Sequence, residues 1–189
     1  LAYVATDWGY FASHPAEAFS FSGGGLSWVG GALGAIVGLT LFASLRPAPV
    51  WLLADALAFP AALLAAASWG GCMLDGCAYG RPLLTGAASL LASDFFDSHF
   101  SRWPTQVVGL LSCFALVLGL LALEPRGVRP GQLVCLTTTV LGLLGMALSF
   151  TRGDPVPLLA GVRLDFIGAA LVAALGLAGF IRIRRRNPA

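Results

Sequence analysis

The sequence predicts an all-α polytopic transmembrane helix bundle with about five membrane spans. Three observations carry this. Of the 189 residues, 58 % are hydrophobic and the mean hydropathy is +0.85. Only 11 % are charged, against about 25 % in an ordinary soluble domain. The apolar residues also fall into stretches of the length a bilayer core requires, about 20 residues each.

Residues 1–24 hold Asp7, His14 and Glu17 among aromatics, and these polar interruptions are too frequent for a span. Tyr3, Trp8, Tyr10 and Phe11 suit the interfacial zone, where amphipathic rings anchor a chain. The segment is therefore expected to lie at the outer interface. The chain opens on an apolar Leu1 without a charged n-region, so no signal peptide is expected.

The first span is expected over residues 26–45. Gly30, Gly34 and Gly38 recur there every four residues, a spacing that lets another helix approach closely. Intramolecular helix packing is the simpler use of that row, and dimerisation the other. The second span, 50–69, contains Asp55. At membrane depth a carboxylate costs a few kcal/mol unless it faces a partner or reaches the interface, so an interfacial position and a functional role both remain open.

Residues 70–103 form the longest connection, expected outside. Together with Trp69, its first part reads Trp69-Gly70-Gly71-Cys72-Met73-Leu74-Asp75-Gly76-Cys77-Ala78-Tyr79-Gly80-Arg81-Pro82. Glycine at this density permits positive φ and close backbone approach. An irregular polar turn of this kind is tolerated in a membrane protein beside a cavity, or it is simply a tight link between helices. The rest is an apolar piece too short to span, 83–91, and a polar run to Trp103. Spans follow at 104–123, 131–150 and 164–183, the first opening on Pro104, where a missing amide hydrogen costs nothing.

All eleven basic residues are arginine. With the C-terminus inside, the inner connections carry Arg46, Arg126, Arg129, Arg182, Arg184, Arg185 and Arg186. The outer ones carry Arg81, Arg102, Arg152 and Arg163, diluted by Asp75, Asp94, Asp97 and Asp154. Positive-inside bias therefore predicts the N-terminus of this chain outside and the C-terminus cytoplasmic. The terminal arginines would also sit well against anionic headgroups. The slight net charge of +2 follows topology and gives no reason to expect nucleic acid. Cys72 and Cys77 would then face an oxidising compartment, where a disulfide can form. Their spacing lacks a second pair or a nearby histidine, so no metal site is expected. Cys113 and Cys135 read as small buried hydrophobes.

Several motifs stand in one order. Phe11-Ala12-Ser13-His14-Pro15-Ala16-Glu17 precedes Gly24-Gly25-Leu26-Ser27-Trp28-Val29-Gly30-Gly31. Asp55 and the 69–82 motif follow, then Trp103-Pro104-Thr105-Gln106 and Phe150-Thr151-Arg152-Gly153-Asp154. This order resembles the prolipoprotein diacylglyceryl transferase family over nearly the whole chain. The resemblance implies a seven-helix bacterial inner-membrane fold, of which this chain would lack the first two helices. It also implies phosphatidylglycerol as lipid partner and a lipobox cysteine as acceptor. Four departures bear on the chemistry. The family's histidine in Gly-Gly-Leu-Ser-Phe-His-Gly-Gly falls on Val29. In the motif that ends as Tyr79-Gly80-Arg81, the family's Arg falls on Trp69, its two Asn on Cys72 and Asp75, and its Glu on Cys77. Its His-Pro-Ser-Gln reads Trp103-Pro104-Thr105-Gln106. Its later Arg and Glu fall near Gly145 and Ser149.

Transfer needs a base or oriented donor for the attacking thiol and cations for the phosphoglycerol leaving group. Neither Val29 nor Trp69 supplies these. Arg81, Arg102 and Arg152 retain the geometry that matches phosphate. The expectation is therefore a non-catalytic lipid-binding or structural member, with phospholipid and possible further transmembrane subunits as partners and with no cofactor. The alternative is an active diacylglyceryl transferase of altered chemistry, using Cys72 or Cys77 as nucleophile and Asp75 as base. A transporter reading has little to stand on, since Asp55 and Asp165 do not make a relay.

Overall fold

A computed structural model describes residues 8–19, 28–46, 49–83, 90–93 and 99–186. Tyr3, Asp7, the stretch 20–27, Asp94 and Asp97 lie outside the described residues, as do 84–89 of the long connection. The chain divides into two compact units, Leu1–Leu53 and Ala54–Ala189.

In the first unit a short helix, α1 (Trp8–Phe11), leads into a 3-10 turn over Pro15–Phe19 and, further on, the 18-residue helix α2 (Trp28–Leu45). Tyr10 donates to the Glu17 carboxylate at 2.6 Å and stacks on His14. Trp8 is exposed. Within this unit a methyl group added at Gly34 or Gly38 would meet nothing within 4 Å. Gly34 and Gly38 thus stand on an open stretch of the helix within their own unit.

The second unit holds the rest of α3 (Val50–Ala56), then α4 (Ala58–Asp75), α5 (Thr105–Leu123), α6 (Gln132–Ser149) and α7 (Leu164–Arg186). The break between α3 and α4 has a local cause. Pro60 lacks the N–H that would bond the Ala56 carbonyl, and its ring crowds that carbonyl. Four helices among the described residues are long and apolar enough to cross a bilayer: Val50–Asp75, Thr105–Arg126, Gln132–Ser149 and Leu164–Arg185. In α2 the apolar part is the shorter stretch Gly34–Leu45.

One boundary differs from the sequence expectation. The second span does not stop at Trp69; α4 runs on to Asp75 and ends at Gly76, whose φ of 72° is left-handed. Cys72 and Asp75 are therefore on the last turn of a helix, not in an open loop. The helix continues through Gly70 and Gly71 despite the cost of glycine inside a helix, about 0.5–1 kcal/mol each, and Gly70 lies against Leu110 of α5.

Packing in this unit follows membrane rules. Its buried apolar residues are mostly small: Ala54, Ala58, Ala62 and Ala66 make one row at four-residue spacing, with Cys113, Cys135, Ala169 and Ala173 on the facing helices. Leu63, Leu64, Leu118, Leu143, Leu171 and Leu175 point outward, because lipid solvates them as well as a core would, and association rests on close backbone approach. Leu116, Leu120 and Leu133 complete the small interior cluster with Ala58 and Ala62. Between α6 and α7, a methyl added at Gly142 would reach 2.4 Å from the Ala173 nitrogen, and one at Gly176 would reach 2.6 Å from Thr139.

Two hairpins complete the unit. β1 (Leu90–Ser93) pairs antiparallel with β2 (His99–Arg102). β3 (Leu158–Leu159) pairs with β4 (Val162–Arg163), turning through Ala160 and Gly161 at φ 51° and 80°. Positive φ at both turn residues suits the twist of a two-residue hairpin, and this turn delivers Arg163 to the start of α7.

Candidate functional site

The C-terminal ends of α4 and α6 and the N-terminal ends of α5 and α7 meet at one junction. Its centre is the strand-like segment 79–83. On one side the Arg81 amide donates to the Thr151 carbonyl, and the Gly153 amide to Tyr79, both at 2.8 Å. On the other, the Trp103 amide donates to Arg81 at 3.0 Å and the Leu83 amide to Ser101 at 2.8 Å. Gly80 is required by this sandwich, since a β-carbon there would sit 2.1 Å from the Trp103 carbonyl oxygen. The Thr105 hydroxyl closes the layer by donating to Thr151 Oγ1 at 3.0 Å.

Gln106 ties the end of α4 to α5. Its side-chain amide donates to the carbonyls of Cys72, at 2.8 Å, and Cys77, at 2.5 Å. The two cysteines are joined by a disulfide. This bears on the reading in which Cys72 or Cys77 is the nucleophile: a bonded sulfur is no thiolate. Asp75, the base in that reading, is exposed at the end of α4. One turn further in, Trp69 lies across Gly109 so closely that any side chain at 109 would overlap the indole.

The three arginines expected to hold lipid phosphate are in different states. Arg102 is buried, with its guanidinium 4.6 Å from the centre of the Tyr79 ring and donating to the Gly80 carbonyl at 3.2 Å. Arg152 is half-buried in an alternating ring of four charges. It pairs with Asp154 at 2.5 Å and Asp165 at 3.5 Å, while Arg163 pairs with Asp165 at 3.1 Å and Asp154 at 3.5 Å. Burial alone would lower the Arg152 pKa. The hydrogen bond and charge of Asp154, with the charge of Asp165, outweigh it and hold the guanidinium above its ordinary value. Its positive charge is therefore fixed but already compensated. Of the three, Arg81 alone is exposed; it donates through Nε to the Arg152 carbonyl at 3.2 Å.

Asp55 has a definite task at the opposite end of the unit. Its carboxylate accepts from the backbone amides of Gly131, at 2.6 Å, and Val134, at 2.8 Å. It thereby caps α6 from another helix, and an anion is favoured at a helix N-terminus. Among the described residues no cluster of three His, Cys, Asp or Glu could hold a metal. His99 lies on β2 within the described backbone, and His14 belongs to the first unit.

The sequence reading missed the charge ring, although its signal was present. Arg152-Gly153-Asp154 and Arg163-Leu164-Asp165 repeat the pattern Arg-x-Asp, and the β3–β4 hairpin folds the second onto the first. Gln106 stood in the Trp103-Pro104-Thr105-Gln106 motif without a role assigned to it, and Gly109 gave no comparable signal.

Outward leucines, inward alanines and glycines and a polar knot at four helix ends define a polytopic helical membrane protein. Comparison with known proteins makes this specific. The model of the prolipoprotein diacylglyceryl transferase family matches residues 1–182, and the chain belongs to that family. Proteins named phosphatidylglycerol–prolipoprotein diacylglyceryl transferase are similar over 140 residues, 70 % of this chain and 52 % of the relative. Those of Bacillus cereus (strain B4264) and Bacillus mycoides (strain KBAB4) are 33 % identical, and that of Bacillus anthracis (strain CDC 684 / NRRL 3495) is 34 % identical. The chain thus spans about half the length of the curated relatives it matches.

Proposed function

We propose that this chain binds an anionic phospholipid at the junction through Arg81 and does not itself transfer the diacylglyceryl group, serving as a lipid-binding or structural subunit in the bacterial inner membrane. One observation carries the reading: the reactive groups of the described junction are engaged with one another. Cys72 is bonded to Cys77, and Arg152 and Arg163 are neutralised by Asp154 and Asp165. Gln106 holds two carbonyls, and Arg102 lies against Tyr79. A transferase requires an activated nucleophile and cations that respond to charge developing in the transition state. Exposed Arg81 offers the forked donor geometry that suits a phosphate. The test is lipid retention by the purified chain in mild detergent. Phosphatidylglycerol is expected to be retained over phosphatidylcholine, and Arg81→Gln to lose that preference while Arg152→Gln mainly loses stability. Equal retention by the Arg81→Gln variant refutes the role given to Arg81.

A second reading is supported by identity of 33–34 % to relatives named as transferases. On it the chain transfers the diacylglyceryl group. Once a thiol reductant has opened the Cys72–Cys77 bridge, Cys72 or Cys77 gives its proton to Asp75 and attacks the diacylglyceryl carbon of phosphatidylglycerol. The C–O bond breaks and glycerol phosphate leaves, and an acceptor thiolate then displaces the cysteine to take the group. Undiminished transfer by the double variant Cys72→Ser, Cys77→Ser removes that mechanism.

A further inference from the structure

Between the charges of Asp154 and Arg163 the chain reads Pro155-Val156-Pro157-Leu158-Leu159-Ala160-Gly161-Val162, without one polar side chain. A turn that faces water is usually built from Gly, Asn, Asp or Ser. Here the left-handed position with φ of 51° is filled by Ala160, where Asn or Asp would be the polar solution. The tip is also uncovered: Leu158 is 65 % exposed, Leu159 59 % and Val162 42 %.

The root of this β3–β4 hairpin is fixed. The Leu164 amide donates to the Pro157 carbonyl at 3.0 Å, and the Arg163 guanidinium to the Asp154 carbonyl at 3.1 Å. Asp154, Arg163, Arg152 and Asp165 compensate one another around it. Its height in the bilayer is set as well, because the spanning helix α6 ends at Ser149 and the spanning helix α7 starts at Leu164. From Leu164 the turn can reach about 10 Å at roughly 3.3 Å per residue. Interfacial elements settle to a similar depth, about 5–10 Å into the boundary between headgroups and acyl chains. Pro155 and Pro157 bring no amide hydrogen, so fewer backbone donors need a partner there.

The strand pairing indicates what covers the tip. Leu158 stands opposite Arg163, and Leu159 opposite Val162. Neighbours along a strand point to opposite faces, so the hairpin is apolar and exposed on both of its faces. A protein surface or a second copy would cover one face, whereas acyl chains wet both. Phe150 and Leu164, both exposed, join the root to the spanning helices. Leu164, Leu171 and Leu175 recur on α7 at helical spacing and are all exposed, so the hairpin continues a surface that already faces lipid.

We infer that the β3–β4 hairpin is a membrane anchor, its tip turned into the acyl layer of the leaflet in which the junction lies. Leu158, Leu159 and Val162 stand among the first methylenes, and the charge ring stays at headgroup level. What it takes is the bilayer surface and not a single lipid, so headgroup charge is not read. The inference is independent of the role proposed for Arg81.

The test is nitroxide labelling of the full chain in vesicles of phosphatidylcholine, a lipid without net charge. Leu158→Cys, Leu159→Cys and Val162→Cys are labelled one at a time. Leu171→Cys serves as the acyl reference and Glu124→Cys, exposed at the end of α5, as the aqueous one. Cys113 and Cys135 are buried and Cys72 is bonded to Cys77, so the introduced thiol takes the label and the parent chain is the blank. Collisions with oxygen, which concentrates among acyl chains, are compared with collisions with a water-soluble nickel chelate. All three hairpin labels are expected to favour oxygen as the Leu171 label does. Adding Leu159→Asp is expected to abolish that preference at position 158 and to leave the label at position 171 unchanged. Hairpin labels that favour the chelate, as the Glu124 label does, would overturn the anchor. So would shielding from both reagents at positions 159 and 162 alone, which means a protein on one face. Broadening that vanishes on dilution with unlabelled chain means a second copy and overturns it too, as does a label at position 158 indifferent to Leu159→Asp.

Discussion

Replacing Gly80 by alanine tests whether the junction is held by backbone contact. A β-carbon there would lie 2.1 Å from the Trp103 carbonyl oxygen and 2.8 Å from Thr105 Oγ1. That is more than ~1 Å inside ordinary contact. The nearest obstacle is main chain, so no rotamer change relieves the overlap and segment 79–83 must move off its neighbours. Hydrogen bonds from Arg81 to Thr151, Gly153 to Tyr79 and Trp103 to Arg81 are then at risk. Losing two or three at about 1 kcal/mol each gives a cost of about 2–3 kcal/mol. At roughly 2–4 °C per kcal/mol for a chain of this size, Tm should fall by about 4–12 °C. Gly119 provides the control. It lies inside α5, where an added methyl meets nothing within 4 Å, so Gly119→Ala should gain up to about 1 kcal/mol from helix propensity alone. Thermal unfolding in detergent, followed by tryptophan fluorescence, compares the two. Equal melting temperatures, or a more stable Gly80→Ala, would refute the close-contact account.

Four other perturbations separate the remaining contacts. Asp55→Ala strips two amides of α6 of their acceptor and should cost about 2 kcal/mol, read from the same melting curves. Gly109→Ala should destabilise by about 1–3 kcal/mol through overlap with the indole, and Trp69→Leu in the same chain should restore most of the loss. A double-mutant cycle on Arg163→Gln and Asp165→Asn should return a coupling of about 1–2 kcal/mol; a value of zero would mean the charge ring does not hold the hairpin. Ala160→Gly relieves a left-handed backbone of 51° and should raise stability by about 1 kcal/mol, whereas a loss would show that the turn is built differently.

The amount legible in the sequence follows from which forces leave a linear trace. Hydropathy did: four of the spans appear as helices with starts within a residue or so of expectation. The end of α4 was misplaced because Gly70 and Gly71 read as helix breakers in isolation. Helix α4 nevertheless runs through both, with Gly70 against Leu110 of α5. The glycine row of α2 was conspicuous by its spacing, but the packing glycines of the second unit are Gly109, Gly142 and Gly176, each matched to a partner distant in sequence. Asp55 was visible as a buried carboxylate with open purpose. Its purpose rests on amides 76 and 79 residues further along, which no local pattern reveals. The arginines show the same limit: residue type gave the chemistry of Arg81, Arg102 and Arg152, and only folding separated the exposed one from the two already engaged.

The central claim is lipid binding without turnover, and one assay meets it directly. The full chain is reconstituted in vesicles of phosphatidylglycerol with a lipobox peptide. The thioether-linked diacylglyceryl product is then sought by mass spectrometry, with the Cys72–Cys77 bridge intact and after its reduction. The account predicts retained phosphatidylglycerol and no product above protein-free vesicles in either state. Sustained product formation in either state would contradict it.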